Sequence, residues 1–179
     1  MKKILVIFAL IFSVMTAKAQ LASEASIWSE GASDINHSGV FVNPAIGLQC
    51  GDVEDDFGIA VNLGYRWHLG SGFNWDVISF GVNTGVSNFT ELLDMRFLSG
   101  FRYNTPEILA GKSLYLNCAF GYHFLTDNTD ISGFAWEVGG GVNITRKISL
   151  GIVYEASKYS NDWGSLNWGI VGLRLGLNF

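Results

Sequence analysis

Four arginines and four carboxylates are the residues of this sequence best placed to do chemistry: Arg66, Arg96, Arg102 and Arg174 against Asp76, Asp94, Glu137 and Glu155. In equal number they could build a buried network of ion pairs or line a channel, depending on the faces they occupy. Nucleophile patterns are thinner. His37-Ser38-Gly39 sets an imidazole beside a hydroxyl, but within a polar stretch of small residues, and is read as a chance occurrence. Ser160 lies in Lys158-Tyr159-Ser160-Asn161, where a lysine stands in the place of the base that would activate a serine. The run Asp52, Glu54, Asp55 and Asp56 could bind Ca²⁺, yet Gly58 is out of step for an EF-hand and no Glu follows at the required spacing. A solvated loop is the better reading. No catalytic set, metal site or cofactor motif emerges.

What positions the charged residues is a two-residue period. Phe57, Ile59, Val61, Leu63, Tyr65, Trp67 and Leu69 point one way; Gly58, Ala60, Asn62, Gly64, Arg66 and His68 point the other. The same alternation predicts strands over 39–50, 57–69, 73–86, 93–103, 113–125, 131–144, 148–157 and 166–179, with all eight charged residues on the polar face. Pro44 makes the first strand the least secure. The short turn 70–72, with Leu69 opposite Phe73, sets Arg66 against Asp76 and Trp67 against Trp75. Apolar parity flips between Val77 and Ile78, which a β-bulge would restore. The turn 145–147, with Ile144 opposite Ile148, sets Glu137 directly against Glu155. Two such carboxylates need an arginine between them, and Arg96 and Arg174 are the candidates.

A soluble sandwich would hold its polar face in water and would not need so many glycines. A narrow cylinder, polar within and apolar toward lipid, suits the 22 glycines and the 14% aromatic content. No stretch beyond the first twenty residues is long and apolar enough for a membrane helix, so insertion would be by strands. The aromatics sort to the ends of the strands: Tyr65, Trp67, Trp75, Phe101, Tyr103 and Phe179 at one rim, and Phe57, Phe89, Phe124, Phe134, Trp136 and Trp168 at the other. Such girdles mark the two interfaces of a bilayer. Cys50 and Cys118 fall on outward positions of strands far apart and are read as free thiols.

Lys2 and Lys3, the apolar run 4–14 and Ala17-Lys18-Ala19 form a secretory signal peptide, 1–19, cleaved before Gln20. A periplasmic lead-in, 20–38, and a transmembrane barrel, 39–179, follow. Cleavage removes three lysines: 11 bases minus 3 leaves 8 against 16 acids, a net charge of −8. Nucleic-acid binding then has no electrostatic basis. In the last stretch, LNWGIVGLRLGLNF, the residues Val171, Leu173, Leu175, Leu177 and Phe179 make one apolar face that runs to the final residue. This ending is similar to the closing strands of outer-membrane barrels, whose terminal Phe the assembly machinery recognises, with Arg174 in the usual internal glycine position.

The segment GFAWEVGGGVNITRKISLGIVYEASKYSNDWGSLNWGIVGLRL, with Tyr154-Glu155-x-Ser157 and the loop after it, is similar to the closing half of the OmpX/Ail-type small outer-membrane proteins, and GIAVNLGYRW resembles their second strand. The resemblance implies an all-β, eight-stranded, antiparallel up-and-down barrel without an open pore, in a Gram-negative outer membrane with both termini periplasmic. It also implies a role in adhesion, envelope integrity or resistance to host defences, although the acidic loops here are shorter than those of the adhesive members. Lys158-Tyr159-Ser160-Asn161 in turn resembles the His-x-Ser-Asn motif of outer-membrane lipid A deacylases, with Lys158 where the His should stand. The sequence is therefore read as an integral outer-membrane protein whose polar interior is a structural core, and not as an enzyme. The alternatives are a lipid A deacylase and a small binder of an apolar ligand. Expected partners are outer-membrane lipids and lipopolysaccharide, the barrel assembly machinery through Phe179, and an extracellular ligand that the sequence does not identify.

Overall fold

Strand follows strand around a closed ring in the computed structural model, which describes residues 36–52, 57–85, 93–108, 112–125, 132–161 and 164–179. The signal peptide, most of the lead-in, Glu54, Asp55, Asp56 and Phe89 lie outside the described residues. The strands are β1 (Gly39–Gly51), β2 (Phe57–Gly70), β3 (Phe73–Gly85), β4 (Asp94–Asn104), β5 (Ser113–Leu125), β6 (Ser132–Asn143), β7 (Ile148–Asn161) and β8 (Gly164–Asn178). Each pairs antiparallel with its sequence neighbours, and β8 closes on β1. This is the eight-stranded up-and-down barrel expected from the alternation, and closure leaves no strand edge unpaired.

The alternation has a physical reading in burial. Along β5, Tyr115, Asn117, Ala119 and His123 are buried while Leu114, Leu116, Cys118, Phe120 and Tyr122 are exposed. The polar side chains line the inside and the apolar ones face out, the inverse of a soluble barrel and the pattern lipid requires. Pro44 disturbs one ladder only. Asn43 and Pro44 keep their β2 partners, Asn62 and Val61, whereas the β1–β8 ladder skips both and resumes at Ala45 and Arg174.

Three details differ from the sequence expectation. Phe73 pairs with Gly70, not Leu69, and Leu69 becomes an extra residue on β2. Ser71 (φ 50°) and Gly72 (φ 82°) both adopt left-handed backbone, which gives a two-residue turn whose twist matches the flanking strands better than a three-residue connection. The β7–β8 hairpin is longer than expected, with pairing that continues to Ser160 and Ser165 and to Asn161 and Gly164. The interior is also not uniformly polar, since Ala45, Ala60, Val153 and Ile170 form one apolar cluster and Leu98, Ala119 and Ala135 another. The bulge lies at Val77, where the β2–β3 and β3–β4 registers both shift.

Candidate functional site

The lumen holds the charged residues in tiers. At the end carrying the chain termini, Arg66 grips Asp76 with two contacts, Nε–Oδ1 at 2.6 Å and Nη2–Oδ2 at 2.9 Å, because β2 and β3 set the two residues opposite each other. Its Nη1 donates to Asn178 of β8 at 2.8 Å, and its guanidinium lies over the Phe41 ring at 4.7 Å. Arg102 is held differently. It donates to Asn104 at 3.0 Å and to Asn143, and sits 3.8 Å over the Tyr115 ring. No carboxylate among the described residues forms an ion pair with it. Tyr115 can lie there because Gly151 has no side chain: a Cβ on Gly151 would stand 2.3 Å from the Tyr115 hydroxyl.

In the middle tier, β6 and β7 place Glu137 directly opposite Glu155. Arg174 of β8 lies between them, donating to Glu137 through Nη1 at 2.8 Å and Nη2 at 2.7 Å and to Glu155 through Nη2 at 2.6 Å. Arg96 of β4 reaches Glu155 across the lumen at 2.8 Å and holds Asp94 at 2.6 Å. Asn62 donates to both glutamates, at 3.1 and 3.3 Å, and Asn117 donates to Glu137 at 2.7 Å. Asn62 has room to reach them because Gly81 stands beside it, where a Cβ would meet its Oδ1 at 2.0 Å. Buried charges of this kind persist only when paired and hydrogen-bonded.

The upper tier contains residue types that suggest catalysis. Asp94 Oδ1 meets His123 Nδ1 at 2.9 Å, and Ser157 Oγ donates to Asp94 Oδ2 at 2.9 Å. The connectivity is not that of a nucleophile–base–acid relay, because the serine is bound to the carboxylate and not to the imidazole. His123 Nε2 faces the Lys158 carbonyl at 3.2 Å, and all three side chains are sealed inside the wall. Sequence reading did not single out His123, Ser157 or Asn62 as network members; their inward parity was the available signal.

Trp168 requires a correction. It is not part of the outer girdle: it lies on the inward face of β8 with Ile170, Gly172 and Arg174, and is 4% exposed. Its ring stacks on Tyr159 at 6.5 Å between centroids, and Tyr159 meets His123 edge-on at 4.2 Å, so three rings fill the lumen from β8 to β5. Parity is the reason, since Trp168 is an even number of residues from inward-facing Arg174. The other girdle residues face outward. Tyr65 and Trp67 are exposed at one rim, where Trp75 donates to Ser99 at 3.0 Å and Tyr103 packs on Phe73 at 4.7 Å. Phe179 continues that rim, its backbone N–H donating to Val40 at 2.8 Å. Trp136 meets Tyr154 edge-on at 5.0 Å toward the opposite end. Of the acidic loop, Asp52 accepts from the backbone and side chain of Asn167, at 2.8 and 3.2 Å. Among the described residues no group of three potential ligands could hold a metal ion, and Cys50 and Cys118 form no disulfide.

No family model matches the chain, and no curated protein sequence matches it. Solved structures do. Neisserial surface protein A (NspA) superposes with a TM-score of 0.56 at 8% identity, over 79% of this chain and 97% of that one. The outer membrane enzyme PagL superposes with a TM-score of 0.55 at 13% identity, over 78% of this chain and 99% of its own. Ail of Yersinia pestis aligns over 84% of this chain and 99% of its own at a TM-score of 0.49 and 17% identity. With its closed ring, apolar exterior and charged core, the chain has the fold of the small eight-stranded outer-membrane β-barrels.

Proposed function

We propose that the mature protein is an integral outer-membrane barrel with a structural or surface-interaction role, and neither a channel nor an enzyme. The observation that carries this reading is the filled lumen: Arg96, Arg174, Glu137 and Glu155 cross-link its middle, and Trp168, Tyr159 and His123 stack above them. The interior of an eight-stranded cylinder is narrow enough for side chains to fill, and here they do so. Residues 1–19 act as an export signal, 20–38 as a periplasmic lead-in, and the termini face the periplasm. The tight turns lie at that end, and every charged residue of the loops at the other end is acidic. Outer-membrane lipids and lipopolysaccharide surround the wall, and Phe179 is the handle for the assembly machinery. Fractionation with the outer membrane and heat-modifiable gel mobility test the placement; a soluble periplasmic species would refute it. In planar bilayers no stable conductance is expected, and reproducible single-channel steps would refute the sealed lumen.

The second reading, a lipid A deacylase, is favoured by the fold shared with PagL and by Ser160 within Lys158-Tyr159-Ser160-Asn161. Lys158 faces outward, whereas His123 lies on the inner side of the wall. Both His123 ring nitrogens are engaged there, by Asp94 and by the Lys158 carbonyl, which argues against this imidazole activating a serine. Acyl-chain release from lipid A, abolished by Ser160→Ala, would establish the enzyme; no release is expected.

A further inference from the structure

We infer that the lumen binds one small monovalent anion, of the size and charge of chloride, on Arg102 at the end carrying the chain termini. Arg102 is 3% exposed, and two of its nitrogens are taken, Nε by Asn104 and Nη2 by Asn143, with the Tyr115 ring against its face. The third, Nη1, has no protein partner among the described residues. Amides and a ring serve the guanidinium as neutral neighbours and leave its charge without a counter-charge, which is costly for a buried ion. The carboxylates of the lumen are committed elsewhere: Asp76 to Arg66 through both oxygens, and Asp94, Glu137 and Glu155 to Arg96 and Arg174. Four arginines and four carboxylates balance over the whole lumen, but their distribution does not. The middle and upper tiers set Arg96 and Arg174 against three carboxylates, and the tier near the termini sets Arg66 and Arg102 against Asp76 alone, an excess there of one positive charge.

Two further donors point to the same ligand. Arg174 Nε and Ser149 Oγ have no acceptor, although Arg174 is 3% exposed and Ser149 fully buried. The ladders bring them toward Arg102: Ser149 is opposite Asn143, which accepts from Arg102 Nη2, and also opposite Gly176, two residues from Arg174 on β8. Asn43 Oδ1 and Asn117 Oδ1 are acceptors without a donor. Water suits those oxygens, but it brings no charge to Arg102. The site lies one layer inside the mouth, since Asn104 and Asn143 are the last residues of β4 and β6, and Asn104 donates to Asn36 of the lead-in at 3.1 Å. The turns at this mouth, 105–112 and 144–147, carry Lys112, Arg146 and Lys147 against Glu107, a field that concentrates anions. A divalent anion would lose more hydration in so enclosed a place than one guanidinium returns. The ligand is therefore monovalent and small.

The inference does not depend on which way the barrel crosses the membrane. Vesicle-folded mature chain is unfolded in urea while chloride replaces gluconate at fixed ionic strength. The folded-to-unfolded ratio at a given urea concentration should rise about tenfold for each tenfold rise in chloride above the dissociation constant. Arg102→Met should show no such dependence, and Arg102→Lys should keep part of it. Ser149→Ala should need about fivefold more chloride, through loss of one hydrogen bond. Lys112→Gln, an exposed cation of the same mouth, should behave as the wild type does. Crystals of the wild type grown in bromide test the site without any substitution, so a variant that fails to fold leaves the inference open to refutation: one anomalous peak is expected at hydrogen-bond distance from Arg102 Nη1. Equal chloride dependence in Arg102→Met, an equal loss in Lys112→Gln, no chloride dependence in the wild type, or bromide found only on the turn residues Lys112, Arg146 and Lys147 would each overturn the assignment.

Discussion

Arg102 and Arg174 are both buried arginines of one lumen, yet they are satisfied in opposite ways. Arg174 lies between two carboxylates that the β6–β7 register forces together, whereas Arg102 is held by two asparagines and the face of a tyrosine. The middle of the barrel is a lattice of opposed charges in which each member compensates another. Toward the termini Arg102 is a local fit that can be removed without stranding an opposite charge, whereas Arg66 and Asp76 beside it form a pair of their own. Buried polar networks therefore differ less in how many bonds they hold than in what remains when one member is lost.

The largest predicted effect tests that difference directly. Arg174→Met leaves Glu137 and Glu155 facing each other with only Arg96 in reach of one of them, and should destabilise the barrel by about 3–5 kcal/mol in urea titration of vesicle-folded protein. Glu137→Gln removes one of the opposed charges and leaves Arg174 on Glu155, so about 1–3 kcal/mol is expected from the weakened contacts of Arg174, Asn62 and Asn117. The bidentate Arg174 contact, which register alone does not reveal, is what raises this cost. Arg102→Met should cost about 1–2 kcal/mol, the loss of a ring contact and two amide partners with no carboxylate left behind. If Arg102→Met proved as damaging as Arg174→Met, the distinction between the two regions would fail. At the outer wall, Trp136→Leu removes the edge contact with Tyr154 and should cost about 0.5–1.5 kcal/mol, measured in the same titration.

Much of the architecture was legible because a strand has only two faces. Alternation in 57–69 and 113–125 specified which side chains enter the lumen, and turn length brought Arg66 to Asp76 and Glu137 to Glu155. Trp168 was misplaced because its residue type suggested an interface, while parity counted back from Arg174 put it inside. Leu69 was misassigned because the sequence Gly70-Ser71-Gly72 permits either a two- or a three-residue turn, and strand twist selects the first.

The periodicity, the glycine content and the apolar run ending at Phe179 by themselves determined a barrel with a polar inside, since side-chain direction along a strand is a local property of the backbone. Contacts across the lumen are not local. Arg96 on β4 meets Glu155 on β7, Asn62 on β2 meets Glu137 on β6, and Ser157 on β7 meets Asp94 on β4. Those pairs share no ladder, so neither turn length nor alternation specifies them. They follow from the stagger with which β8 closes on β1, and that stagger exists only once all the strands have paired.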